Sequence, residues 1–289
     1  MAIILEQALN GVLVGAFYTL LALGLSLIFS LGGVVNLAHG AFYALGAYFA
    51  VELHRRFGYP AALIGSPILV GVVGMAIEAT LLRRLYREDP VLTLLLTFGL
   101  AMIAEQTIRL IWGVTGLPFS IPDFLRGVLL LGDFIFPYYR LAVFGVVAAA
   151  VAAVWLLLNK TNFGLIVRAG VSDPEIVRAM GVSLRPVQTA IFGLGVALAG
   201  LAGVAAAPLA GIQPAMGTDI LTAAFVIVVI GGLGSFWGVL LAGLLVGVVR
   251  GATISVWPPA AEASMYLLMI IVLLVRPRGL LGEQMERLD

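Results

Sequence analysis

The polar residues of this chain are few enough to be taken one by one. Its two histidines, His39 and His54, have no histidine or carboxylate at helical spacing, so neither begins a metal site. Cysteine is absent, which excludes disulfides, thiolate metal sites and cysteine nucleophiles. A P-loop needs a lysine after its glycine-rich turn, and the single lysine, Lys160, stands in "LLNKTNFG" instead. The chain therefore has no ATPase motif of its own and calls for no bound cofactor. Ser235 in "GGLGSFWG" supplies half of a serine-histidine pair, but glycines beside a serine in an apolar segment read as packing residues.

The remaining ionisable groups fall inside or beside apolar runs, where burial in lipid is costly and polar residues mark pairs or pathways. Glu105 and Arg109 are four apart with the acid first, the favourable order for an intrahelical ion pair. Glu78 lies one turn before Arg83 and Arg84 and is expected to snorkel to the interface. Asp219 follows "GIQPAMGT" and reads as the capped start of a helix, with Thr218 or Asp219 as the cap.

Two glycine-rich stretches carry the candidate pathway residues. In "GGVVNLAHGAFYALGAY", residues 32–48, Asn36 and His39 are polar groups three apart, followed by Gly40. In "GGLGSFWGVLLAGLLVGVVRG", residues 231–251, Gly234 and Gly238 are four apart, as are Gly243, Gly247 and Gly251. That spacing lines small residues along one helix face and lets another backbone approach. Packing is the plain reading; the functional one is broken or closely crossing helices around a central pathway. Both stretches open on Gly-Gly after an apolar run, which hints at an internal repeat.

The stretch "RAGVSDPEIVRAMGVSLRP", residues 168–186, looks soluble. Ser172 with Glu175 forms a capping-box pattern, Pro174 suits a first helical turn, and Gly181 and then Pro186 stop the helix. The spacing predicts a helix of about two turns. Ile176, Val177 and Met180 share one side while Arg178 points elsewhere. So short a helix is marginal alone and needs a surface against which to bury that side.

The elements that carry these residues are set by composition. The chain is 62% hydrophobic and 11% charged, with a mean hydropathy of +1.14, far from a water-soluble protein of about a quarter charged residues. Its formal charge of +1 leaves no basic stripe for nucleic acid. Apolar runs of membrane-crossing length fall near 8–31, 34–52, 60–80, 91–112, 141–159, 187–207, 219–237, 238–257 and 262–276. The expected fold is an all-α polytopic membrane protein of about nine transmembrane helices, range 8–10, in a single domain over 1–289. "MAIILEQ" lacks a cationic n-region, so the first run is expected to be a retained span. Arg83, Arg84, Arg87, Lys160, Arg168, Arg178, Arg185, Arg276, Arg278 and Arg287 fall on one side, against Arg55, Arg56, Arg126 and Arg140 on the other. That asymmetry predicts the N-terminus out and the C-terminus in, making 160–186 a cytoplasmic loop. Segment 113–140 becomes an extracytoplasmic loop whose "RGVLLLGDFIFPYY" reads as a hairpin about Gly132 and Asp133.

"VVNLAHGAFYALGAY", "GLIVRAGVSDPEIVRAMGV", "GGLGSFWGVLLAGLLVG" and "VRPRGLLG", four blocks in order between about residues 5 and 282, resemble the branched-chain amino acid ABC transporter permeases, specifically the H-type subunit of the Liv system. The resemblance implies a transmembrane subunit of an importer in the inner membrane of a prokaryote, paired with a second related permease. Two separate ATP-binding cassette ATPases would consume the ATP, and an extracytoplasmic binding protein would deliver the amino acid. By the same analogy the 168–186 loop is the coupling segment, with Asp173, Glu175, Ile176, Val177, Arg178, Met180 and Gly181 at the ATPase contact. Asn36, His39, Gly40, Gly234 and Gly238 are the expected pathway residues. Permeases for urea or short-chain amides are similar to the same family and form the first alternative; an ion-coupled secondary transporter, for which Glu105 is the one deep carboxylate in view, is the second.

Overall fold

The computed structural model describes residues 2–33, 35–86, 88–131 and 134–282. Among them, helices α1 (Ala2–Gly32), α2 (His39–Phe57), α3 (Tyr59–Thr80) and α4 (Pro90–Trp112) come first. A two-stranded antiparallel hairpin follows, β1 (Val128–Leu131) and β2 (Phe134–Pro137), with Val128 opposite Pro137 and Leu131 opposite Phe134. The expected hairpin is thus present, while its turn residues Gly132 and Asp133 lie outside the described residues, as do Arg87 and Arg287. Then come α5 (Tyr138–Lys160), α6 (Asn162–Ser172), α7 (Pro174–Ala179), α8 (Arg185–Ala210), α9 (Met216–Gly231), α10 (Phe236–Val256) and α11 (Ala261–Val275).

Seven helical segments among the described residues are long and apolar enough to cross a membrane: Asn10–Gly32, Tyr59–Arg84, Pro90–Trp112, Tyr138–Lys160, Arg185–Ala210, Phe236–Val256 and Pro258–Val275. The protein is a multi-pass helical membrane protein. The two other expected spans became α2 and α9: α2 keeps a length of 19 residues but starts at His39, later than its apolar run, and so takes in Glu52, Arg55 and Arg56, whereas α9 is the shorter helix. At 16 residues α9 is about 24 Å long, less than the ~30 Å hydrocarbon core.

Local chemistry fixes most of the boundaries. Asp89 caps α4, its carboxylate accepting from Val91 N at 2.9 Å, with Pro90 in the first turn where no N–H is needed. Thr161 caps α6 by accepting from Gly164 N at 3.1 Å. Ser235 caps α10 by accepting from Gly238 N at 3.1 Å, so "GGLGSFWG" is a turn between two helices and Ser235 is a cap. Gly58 turns α2 into α3 at φ 82, a conformation that glycine adopts freely.

Packing has a two-fold pattern. α1 lies along α10 as α8 lies along α3; α2 packs on α8 and α3, as α9 packs on α1 and α10. α1 and α8 cross at Gly24 and Gly195, and the Gly170 position is crowded by both Leu31 and Leu184. The C-terminal end of α1 therefore meets the start of α8, so the two run in opposite directions. This relates α1–α4 to α8–α11 with inverted direction, as in many transport folds. The Gly-Gly pairs do not mark this relation: the partner of the 32–48 stretch is the start of α9, not the 231–251 stretch.

The bundle has two distinct ends. At one, the hairpin end, the Tyr59 and Tyr139 hydroxyls are 2.9 Å apart, Tyr139 Oη donates to Ala205 O at 2.9 Å, and Leu117 N donates to Ile212 O at 3.0 Å. At the other, the α7 end, lie Arg83, Arg84, Lys160, Arg168, Arg178, Arg185, Arg276 and Arg278. Arg168 donates to Leu158 O there, and Leu280 N donates to Ile230 O at 2.7 Å, tying the C-terminal segment to α9.

Candidate functional site

Two places carry the functional residues: a junction at mid-depth, where α2 and α9 begin, and the appendage formed by α6 and α7.

At the junction, Asn36 Oδ1 accepts from Ala38 N at 3.1 Å and Asn36 O accepts from His39 N at 3.2 Å, closing the turn that starts α2. His39 Nε2 donates to Leu21 O at 2.9 Å. Leu21 is the midpoint of the span Asn10–Gly32, so α2 begins near the middle of the membrane. Both side chains are fully buried, and Asn36 Nδ2 and His39 Nδ1 have no hydrogen-bond partner. Gly40 meets Gly217 here. A Cβ at Gly40 would stand 2.0 Å from Gly217 O, and one at Gly217 2.3 Å from Gly40 O, so only glycine permits this approach. The other two expected pathway residues are elsewhere: Gly234, at φ 81, lies in the α9–α10 turn near Ser30, and Gly238 packs on Gly231.

The start of α9 departs from expectation. Its N-cap is Ala215, which makes no side-chain cap bond, and Asp219 sits inside the helix. Thr218, Asp219 and Thr222 are all exposed, on the side of α9 away from Gly217 and Leu221, which meet Gly40. A threonine pair four apart flanking an acid was the sequence signal for this face, hidden because capping is the commoner use of such residues at a helix start.

Glu78 also departs from expectation. It is fully buried, and its Oε2 accepts from Arg83 Nη2 at 3.1 Å and from Thr189 Oγ1 at 2.6 Å. Snorkelling fails because α8 covers α3 at this level and brings Thr189, 111 positions away, to the carboxylate. Burial, reinforced by the Glu78 carboxylate, pushes the nearby Tyr86 phenol up from its ordinary value. Glu105 does pair with Arg109, through Nη2 at 2.6 Å and Nε at 3.2 Å. Arg109 lines a recess of about 460 Å³ with Gly116, Gln213, Pro214 and Ala215 at the hairpin end, just ahead of α9.

At the appendage, α7 is capped by Asp173, whose carboxylate accepts from Glu175 N and Ile176 N, both at 2.9 Å. Ser172 ends α6 instead of capping α7, so the expected capping box is not formed. Gly181 closes the helix at φ 82, with Val182 N donating to Val177 O at 3.2 Å. The three apolar side chains do not share one side: Val177 is 7% exposed and faces the protein, whereas Ile176 is 59% and Met180 77% exposed. Glu175 and Arg178 are exposed beside them. Spacings of one and three had suggested a common face, but burial falls on Val177 alone, about 100° round the helix from Ile176.

A helical bundle interrupted at mid-depth, sealed by glycine contacts and bearing a capped surface helix at its cation-rich end is a membrane permease. The chain belongs to the family described as branched-chain amino acid transport system / permease component, which matches residues 7–275. It is 28% identical to the high-affinity branched-chain amino acid transport system permease protein BraD of Pseudomonas aeruginosa, over 96% of each chain. It is also 28% identical to the permease protein LivM of Escherichia coli K12, over 91% of this chain and 67% of that one. A chain in the solved structure of PsaBC from Streptococcus pneumoniae in complex with Fab shares the fold, with a TM-score of 0.50 at 14% identity, covering 92% of this chain and 89% of that chain. These findings do not favour the urea, amide or ion-coupled readings.

Proposed function

We propose that this chain is the transmembrane subunit of an importer for branched-chain amino acids in the inner membrane of a prokaryote. It crosses nine times, counting α2 and α9, with the N-terminus out and the hairpin end facing the substrate supply. The cation excess at the α7 end supports that orientation. A second permease of the LivM kind pairs with it, an extracytoplasmic binding protein delivers substrate, and two ATP-binding cassette subunits supply the energy. This chain neither hydrolyses ATP nor holds a cofactor.

The observation that carries the reading is α7. A six-residue helix does not persist for its own sake, and this one is capped by Asp173, closed at Gly181 and anchored by Val177. What it presents is Ile176 and Met180, four apart and exposed, flanked by Glu175 and Arg178. An apolar pair rimmed by charge on the cytoplasmic side is a docking knob for an ATPase groove. Asn36, His39 and Gly40 hold the mid-depth junction past which the substrate moves, and Gly234 and Gly238 shape the α9–α10 turn.

The test is the pair Ile176→Asp and Met180→Asp in the full complex. Co-purification of the ATPase subunits and valine uptake should both fall at least about tenfold, as for loss of an interface anchor worth about 1.4 kcal/mol or more. Unchanged co-purification and uptake would refute the docking.

A further inference from the structure

We infer that the exposed face of α9 formed by Thr218, Asp219 and Thr222 lines the substrate path, and that the Asp219 carboxylate receives the α-ammonium group of the amino acid there. The inference rests on the transport reading and deepens it by naming a subsite.

Depth comes first. His39 Nε2 is bonded to Leu21 O, at the midpoint of the α1 span, and the adjacent Gly40 is in backbone contact with Gly217. Asp219 follows Gly217 by two residues, about 3 Å along the helix, so its carboxylate stands near the middle of the membrane. Exposure comes second. Asp219 is exposed, with no cation within 4 Å among the described residues. A carboxylate facing lipid at that depth is strongly disfavoured, so this face must meet water or a cation. Its neighbours agree: Thr218 and Thr222 lie one turn apart on the same side and add hydroxyls, whereas the equivalent face further along carries the half-buried Phe225 and Val229. The recess at Arg109 and Gln213 is lined as far as Ala215, the residue before this helix. An aliphatic amino acid brings one cationic group that must exchange its water for protein, and a lone carboxylate flanked by hydroxyls offers that exchange. Asn36 and His39, by contrast, are fully buried behind α2 and position the junction without touching the path.

Because the chain contains no cysteine, single cysteines can be read on it inside the full transporter complex. Thr218→Cys and Thr222→Cys should react with water-soluble methanethiosulfonates, while Leu267→Cys on the exposed face of α11 should not. At Thr222→Cys the trimethylammonium reagent should outpace the sulfonate reagent by on the order of tenfold beyond their ratio on free thiol, because one charge ~6 Å away in water enriches one and depletes the other about threefold each. Asp219→Asn should abolish that ratio and cut valine uptake at least about tenfold, with Asp219→Glu retaining both. Unreactive cysteines at 218 and 222, reactivity equal to that at 267, a ratio unaffected by Asp219→Asn, or undiminished uptake in Asp219→Asn would each overturn the inference. A complex that takes up no branched-chain amino acid in any form would instead overturn the transport reading, and the labelling ratio would still decide whether Asp219 faces a water-filled, cation-selective path.

Discussion

Replacing Gly40 with alanine perturbs the junction on which the path depends. The new methyl would lie 2.0 Å from Gly217 O and 3.1 Å from Leu221 Cβ, while ordinary contact begins at 3.4 Å, so α2 and α9 must part by roughly 3.4 − 2.0 = 1.4 Å. The first obstacle is backbone and cannot rotate away. Overpacking of this kind costs about 1–3 kcal/mol. Against it stands the gain of about 0.5–1 kcal/mol for alanine over glycine within a helix. The net expectation is a loss of about 1–2 kcal/mol, or a few degrees of melting temperature for a chain of this size. Gly217→Ala meets Gly40 O at 2.3 Å and should behave alike, and the two together should cost less than their sum because they relieve one contact. Gly99 in α4 and Gly145 in α5 are the controls: a Cβ at either finds nothing within 4 Å, so alanine there should leave the protein unchanged or slightly more stable. Thermal unfolding of the purified complex in detergent reads the stability, and valine uptake in proteoliposomes reads the junction. Equal melting temperatures for Gly40→Ala and Gly99→Ala would refute the claim that this contact is a backbone-to-backbone seal.

Removing the α7 cap with Asp173→Ala should cost the helix about 1 kcal/mol and speed amide exchange at residues 175–180, whereas Ser172→Ala should leave exchange there unchanged. Arg83→Leu leaves the Glu78 carboxylate buried without its cation; because Arg83 is 34% exposed, the loss should stay near the lower end of the ~3–5 kcal/mol typical of a broken buried pair. The double variant Glu78→Leu/Arg83→Leu should recover most of that stability in the same melting assay, since it removes the orphaned charge. Across all four variants, the hairpin end should keep its structure, with Tyr59 and Tyr139 still bonded.

What the sequence could disclose was local. The strands about 128–137 and the Glu105–Arg109 pair follow rules that act over a few residues, and both form as expected. What it hid was set by contacts between distant positions. Glu78 reads as an interfacial acid until α8 brings Thr189 to it. Ser172 and Asp173 are equally good caps on paper; α6 decides between them by running through Ser172 as it packs along α5. Val177 looks like part of a docking stripe until it is found buried while Ile176 and Met180 stand exposed. Asp219 was concealed by depth, because an acid four residues into a helix reads as a terminal one unless the helix is known to begin mid-membrane. The late start of α2 at His39 was signalled only by Asn36 within otherwise span-length hydrophobicity.

The position of α8 connects the two functional places. Only residues 180–184 separate α7 from α8, and Leu184 is buried against the rest of the fold, so little chain is available to absorb a displacement of α7. Thr189, one turn into α8, is held to α3 through Glu78. Beyond it, Gly193 faces Gly71 and Met75, Gly195 faces Gly24, Gly200 faces Val70, and Gly203 faces the Tyr43 carbonyl. Where backbone meets backbone, as at Gly195 with Gly24 and Gly203 with Tyr43, no long side chain stands between to repack, so a rigid shift of α8 has to be matched by α1 and α2. α2 in turn carries Gly40, and with it the start of α9. On the proposed docking, a force applied at Ile176 and Met180 would reach the mid-depth junction through α8 and two glycine crossings. Loosening that route at Gly203, where an alanine methyl would stand 2.1 Å from Tyr43 O, should uncouple ATP hydrolysis from uptake while leaving ATPase docking intact. ATPase activity that remains coupled to valine uptake in Gly203→Ala would place the route elsewhere.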